Sequence, residues 1–150
     1  MDNELEITEE CRMDSCLFFS SAKLARVLGK IAEDKFKKTG LSPSHALLLY
    51  TVNQKGSIPQ KEVGELLHLT PSTITRFVEK LKEKSFVITK CTGKNVSLFT
   101  TEKGLLMQPE ILKAWDDLHK AYKDSLTEEE TRQFVESSNK MLSKLESYKD

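Results

Sequence analysis

Ser72, Thr73, Thr75 and Arg76 bring three hydroxyls and a guanidinium together at the start of the stretch LTPSTITRFVEKL, residues 69–81. A hydroxyl can donate to or accept from a base edge. An arginine can take both acceptors on the major-groove edge of a guanine, a pairing worth roughly 1–3 kcal/mol of discrimination. Lys61, Lys80, Lys82 and Lys84 surround this group, and Lys90 and Lys94 follow within the next segment. Ammonium groups suit phosphates, which fix register without reading sequence, and the last two lysines can reach the adjacent backbone or minor groove. The chemistry these types and spacings indicate is non-covalent recognition of double-stranded DNA.

Such residues work only if an element holds them outward. Thr70 is a sound N-cap with Pro71 at the first helical position, and Ile74, Phe77, Val78 and Leu81 then follow the i, i+3, i+4, i+7 rule. With those buried, Ser72, Arg76, Glu79 and Glu83 fall on the opposite side, flanked by Thr73, Thr75 and Lys80. A short helix over about 59–67, with Val63, Leu66 and Leu67 inward, and the turn HLT precede it. After Lys84 the period shortens. SFVITK and NVSLFT read as two strands joined by CTG, where Gly93 can supply positive φ.

Flanking segments are helical. Residues 10–38 carry Leu17, Leu24, Leu28 and Ile31 on one face, flanked by Phe18, Ala22, Ala25 and Ala32, more apolar width than one neighbour can cover. Ser42 and Pro43 open a helix over about 43–54 built on Ala46, Leu47, Leu49 and Tyr50, and QKGSIPQ breaks the chain again. A helix over about 101–124 contains Pro109, which must kink it or delay its regular start. The last helix, 127–148, has a Thr127–Glu130 capping box and the seam Phe134, Ser138, Met141, Leu145, Tyr148. The fold class is mainly α with a small β-hairpin wing: a winged helix-turn-helix over about 42–100 within one 150-residue domain.

The formal net charge is zero, yet its distribution is uneven. Residues 1–15 and 104–150 are acidic, whereas residues 55–103 carry nine basic and five acidic side chains. The local field favours an anionic partner at the centre of the chain. Catalysis lacks support: three isolated histidines, no glycine-rich phosphate loop and no nucleophile motif leave no spacing suited to it. Cys11, Cys16 and Cys91 form no paired framework or zinc spacing, so neither metal nor cofactor is expected. No apolar run approaches the roughly 18–20 residues of a membrane span, and the acidic start lacks the marks of a signal peptide. A cytoplasmic protein without a membrane partner is the expectation.

EVGELLHLTPSTITRFVEKLKEKSFVITK and VSLFTTEKG together resemble the core of the MarR family of winged-helix transcriptional regulators, LTPSTITRFVEKL and LFTTEKG being the most specific parts. The resemblance implies a homodimer held by the terminal helices, about 10–38 and 101–148, on a roughly palindromic operator. It also implies repression relieved by a small molecule or an oxidant. The Asp-Arg pair usual at the family's wing tip is replaced by CTGKN, with Lys94 as the candidate there. Gly64 and His68 stand where such sequences often have alanine and glycine, so the turn is expected to differ slightly. An alternative function is a winged helix that binds protein instead of DNA.

Two switching routes follow from the resemblance. SCLFFSS is similar to the segment in which peroxide-sensing members carry their cysteine, with Cys16 at the matching position, although Ser20 and Lys30 stand where those members have tyrosines. The bland role of Cys16 is a small apolar residue at a helix contact. The second route is an effector in the cleft between dimer helices and winged helix, with Phe18, His45, Tyr50 and Trp115 as candidate lining; aromatic residues at helical spacing also serve simply as core.

Overall fold

A computed structural model describes residues 15–146. Helix α1 (Leu17–Phe36) leads through a 3-10 turn, Lys37–Thr39, into α2 (Pro43–Lys55). Strand β1 (Ser57–Pro59) then precedes α3 (Gln60–Leu67) and α4 (Pro71–Glu83). Strands β2 (Val87–Thr92) and β3 (Asn95–Thr100) form the wing, followed by α5 (Glu102–Leu106), α6 (Gln108–Tyr122) and α7 (Glu128–Leu145). The part of the first helix expected over 10–14, Cys11 and Tyr148 lie outside the described residues.

Side-chain caps set most helix starts. Ser42 accepts from the His45 amide, Thr70 from Thr73, Thr101 from Gly104, and Thr127 from Glu130 in a complete capping box. Each is worth on the order of 1 kcal/mol, because it satisfies an amide that the helix itself leaves unpaired.

The sheet has three strands, in the order β1-β3-β2, both pairs antiparallel. The hairpin expectation is thus extended by β1, in a segment read from sequence as a break. Three residues including Pro59 carry no period, and a proline is tolerated there because β1 is an edge. Ile58 is nevertheless 2% exposed and sits opposite Leu98. The wing turn is Gly93–Lys94, Gly93 having φ 62°, and Cys91 belongs to β2 opposite Val96 instead of to the turn.

Leu48, Leu49 and Val52 of α2, Val63 of α3, Ile74, Val78 and Leu81 of α4, Leu98 of β3 and Ile111 of α6 share one buried core. Each such side chain removed from water contributes roughly 1.5–3 kcal/mol. On α2 the buried set is Ala46, Leu48, Leu49 and Val52, so Leu48 replaces the expected Leu47 and Tyr50, which are half-buried. The face is wider than the period suggests because α2 packs against α1, α4, α6 and the sheet together.

The long helix expected over 101–124 is two helices. The break falls at Met107, and Pro109 lies in the first turn of α6, where its missing N–H breaks no ladder bond. Asn53 of α2 donates to Gly104 O at 3.0 Å and Gln108 Oε1 at 2.9 Å, fastening this break to the winged helix. By contrast, α7 has no buried residue and α1 only Phe36. Leu17, Phe18 and Leu24 on α1, Leu112 on α6, and Phe134, Met141 and Leu145 on α7 are exposed.

Candidate nucleic-acid interface

Helix α4 buries Ile74, Val78 and Leu81 and turns Ser72, Thr75, Arg76, Glu79 and Lys80 to solvent, with Thr73 half-buried on the flank. Its N-terminus is held by Thr70, whose hydroxyl bonds Thr73 Oγ1 at 3.0 Å and lies 3.3 Å from Ser72 Oγ. Thr70 has one proton to give and directs it to Thr73. Ser72 therefore donates within this group, while Thr73 keeps its own proton for an incoming acceptor.

Thr75 is differently occupied. Its hydroxyl donates to Pro71 O at 2.9 Å and accepts from Gln60 Nε2 at 3.3 Å. Of the two roles expected of a hydroxyl here, donation is already taken up at this residue, because back-bonding to the preceding turn takes its proton. Gln60, which sequence reading did not single out, joins the first turn of α3 to α4. Its signal was present in the spacing: it opens the shorter helix, whose beginning faces the second helix in a helix-turn-helix.

Arg76 is exposed and engaged by no ion pair or hydrogen bond among the described residues. Lys82 pairs with Glu79 at 3.3 Å, which offsets one of the two acidic groups on this face. An exposed pair of this kind stabilises little, about 0–1 kcal/mol. Lys61 is exposed on α3 and Lys80 on α4, while Lys84 is half-buried and its carbonyl accepts from Lys103 Nζ at 2.9 Å. On the wing, Lys90 Nζ lies 4.9 Å from the Phe99 ring centroid, and Lys94 stands at the turn. The cation–π contact steadies Lys90 over its own sheet.

The turn between α3 and α4 closes through His68 at φ 51°, ψ 44°, a left-handed conformation that an L-residue adopts at a cost. Gly64 lies where the two helices approach each other: a Cβ there would come 3.3 Å from Ile74 Cγ1, so that side chain would have to give by a few tenths of an ångström. The left-handed position of this turn is thus filled by a histidine.

Behind this face, the His45 ring lies 4.2 Å from the Phe77 ring of α4, and Ser42 Oγ bonds its Nδ1. Burial, and then the positive fields of Lys80 and Lys84, hold the His45 pKa below the usual histidine value. Tyr50 meets Trp115 edge-on at 5.2 Å, and Phe18 meets Phe19 at 5.3 Å. The four aromatic residues named as candidate lining therefore enter three separate ring pairs. Two surface depressions of about 380 Å³ each are lined by other residues, one by Asp34, Lys35, Lys37, Lys38 and Asp117, the other along α7. Cys16 is half-buried at the N-cap of α1, where its carbonyl accepts from the Ser20 amide at 2.9 Å.

No described helix is long and apolar enough to cross a membrane, and no group of three or more described His, Cys, Asp or Glu residues is placed to hold a metal. Residues 41–89 match the sequence model of the MarR family. The chain is 24% identical over 111 residues to the HTH-type transcriptional repressor MdtR of Bacillus subtilis (strain 168), covering 72% of each. Its shape is similar to CouR from Rhodococcus jostii RHA1 bound to p-coumaroyl-CoA, with TM-score 0.78 and 18% identity over 87% of this chain and 94% of that one. S. aureus MepR in complex with DNA is similar at TM-score 0.76 and 17% identity, over 87% of this chain and 98% of that one.

Proposed function

Because the chain belongs to the MarR family of transcriptional regulators, we propose that it acts in the cytoplasm as a homodimeric repressor on a palindromic operator, released by a small molecule or an oxidant, without catalytic activity of its own. The observation that carries this reading is the outward face of α4. Arg76 stands beside Thr73, engaged by no partner among the described residues, with Ser72 and Thr75 on the same side and Lys80 one turn on. In such a helix the N-terminal side chains approach base edges and the preceding helix crosses the backbone. Arg76 reads a guanine; Lys61, Lys80, Lys90 and Lys94 neutralise phosphates.

The second copy follows from the apolar faces of α1, α6 and α7. Leu17, Leu24, Leu112, Phe134, Met141 and Leu145 are all exposed in one chain. Large apolar side chains exposed along these helices suit an association surface, and α1 and α7 contribute almost nothing to the buried core. That CouR binds p-coumaroyl-CoA and MepR binds DNA supports the two kinds of partner assigned here. For the effector, the contact between Tyr50 of α2 and Trp115 of α6 is the part of the candidate lining that joins the winged helix to a dimer helix.

Selection of fragments from the host genome, followed by titration against Arg76→Ala and Lys80→Ala, tests this. Arg76→Ala should relax preference at one base pair per half-site. Lys80→Ala should weaken binding to all sequences and make the dependence on salt shallower. Retention of no fragment even at low salt, or unchanged affinity in both variants, overturns the reading.

A further inference from the structure

We propose that Thr75 reads the C5-methyl group of a thymine with its own methyl group, and that its hydroxyl donates to no base. This rests on the placement of α4 in the major groove given above, and goes beyond it by assigning a base type to a residue.

The argument starts from the three substituents on the Thr75 Cβ besides Cα: a hydrogen, the hydroxyl and a methyl. The hydroxyl proton is donated to Pro71 O at 2.9 Å, one turn back on the same helix. One of its lone pairs accepts from Gln60 Nε2 at 3.3 Å, across the junction with α3. Both bonds draw Oγ1 toward the protein, and together they fix the side-chain rotamer more firmly than either would alone. A β-branched residue in a helix has few rotamers to begin with.

With its proton taken, the hydroxyl cannot donate to guanine O6 or N7, to adenine N7 or to thymine O4, the major-groove acceptors. The side chain is nonetheless exposed, on the same outward side as Arg76. Of its two lone pairs one is already given to Gln60, and the group on this side chain that takes part in no hydrogen bond is the methyl. The apolar feature of a major groove is the thymine C5-methyl, and a threonine methyl is among the groups that pair with it. Thr73 provides the contrast: it receives the Thr70 proton at 3.0 Å and keeps its own, so polar contact falls to Thr73 and apolar contact to Thr75. Gln60 becomes a positioning residue, acting on DNA through the rotamer of Thr75.

The test uses a genomically selected fragment in which each thymine of a half-site is replaced in turn by deoxyuridine, which deletes only the methyl. Equilibrium binding is measured for the wild type, Thr75→Val and Thr75→Ser. At one thymine per half-site, uracil should weaken the wild type by roughly fourfold, the equivalent of about 0.8 kcal/mol for one buried methyl. Thr75→Val retains the methyl and should show the same affinity and the same uracil penalty. Thr75→Ser retains the hydroxyl and should bind the thymine fragment more weakly and be indifferent to uracil. Wild-type binding that ignores uracil at every position overturns the assignment alone, as does a penalty kept by Thr75→Ser and lost by Thr75→Val. Retention of no fragment by the wild type overturns the assignment together with the placement of α4.

Discussion

The Lys103 ammonium donates to the backbone carbonyl of Lys84 at 2.9 Å, so the C-terminus of α4 is held by the first turn of α5. The same junction is closed from the other side by Thr101, whose hydroxyl donates to Ser85 O at 2.7 Å. Helix α4 is thereby fixed to the segment that leads into α6 and α7, the proposed dimer helices. A change in the packing of those helices has a direct mechanical path to α4.

Gly104 is the tightest point of that junction. A Cβ there would lie 2.2 Å from Phe86 O and 2.8 Å from Thr100 Oγ1. Gly104→Ala should therefore lose about 1–3 kcal/mol, since a backbone carbonyl must move to admit it. Thermal unfolding checks this, and a Tm equal to that of the wild type would show that the junction is looser than described.

The two left-handed residues without a glycine should respond in the opposite direction. His68 has φ 51° and Ser85 φ 63°, one before and one after α4. His68→Gly and Ser85→Gly relieve a steric cost of about 1–2 kcal/mol each, offset in part by the greater freedom of glycine in the unfolded chain. A net gain of about 0.5–1 kcal/mol per site is expected, or a few degrees in Tm. Lower Tm values would mean that these side chains make contacts worth more than the strain.

Acid should weaken the fold through His45. Burial, with Lys80 and Lys84 nearby, holds its folded-state pKa below that of the unfolded chain, so the unfolded state binds more protons in the interval between them. The contribution of His45 is complete above the unfolded value, about 6.5, and is lost as pH falls through the lower folded value. His45→Gln, which cannot take up this proton, should show a shallower fall in stability across that interval. Denaturant titrations at several pH values give the comparison; identical slopes would assign the acid response to other groups.

Oxidant release separates the two switching routes. With Cys16 as sensor, peroxide should release the wild type from its operator and leave Cys16→Ser bound. Equal release of both eliminates Cys16, and no release of either leaves the effector route. Trp115 is the sole tryptophan, so an effector seated against the Tyr50–Trp115 contact should shift the intrinsic emission of the protein.

Much of this was legible in the sequence where a residue type answers to one physical demand. Ser42, Thr70 and Thr127 announce helix starts because only a short side-chain oxygen reaches the orphan amides, and each cap is present. Arg76 and Lys80 could be placed outward from the period of Ile74, Val78 and Leu81 alone. Strand β1 was not legible, because its three residues pair only with a strand some forty positions away. The burial of Leu48 was hidden for a similar reason: α2 has neighbours on several sides, and periodicity describes one face. Thr75 shows the limit within the site itself. Its type suggests a donor, whereas its hydrogen bonds to Pro71 and Gln60 belong to the folded helix pair.

The most direct test of the central claim is a hydroxyl-radical footprint of the wild-type protein on a selected fragment. Two copies of α4 in successive major grooves should protect two blocks about one helical turn apart, roughly 34–36 Å centre to centre. A single protected block at full affinity, from a protein that remains one subunit in solution, would contradict it.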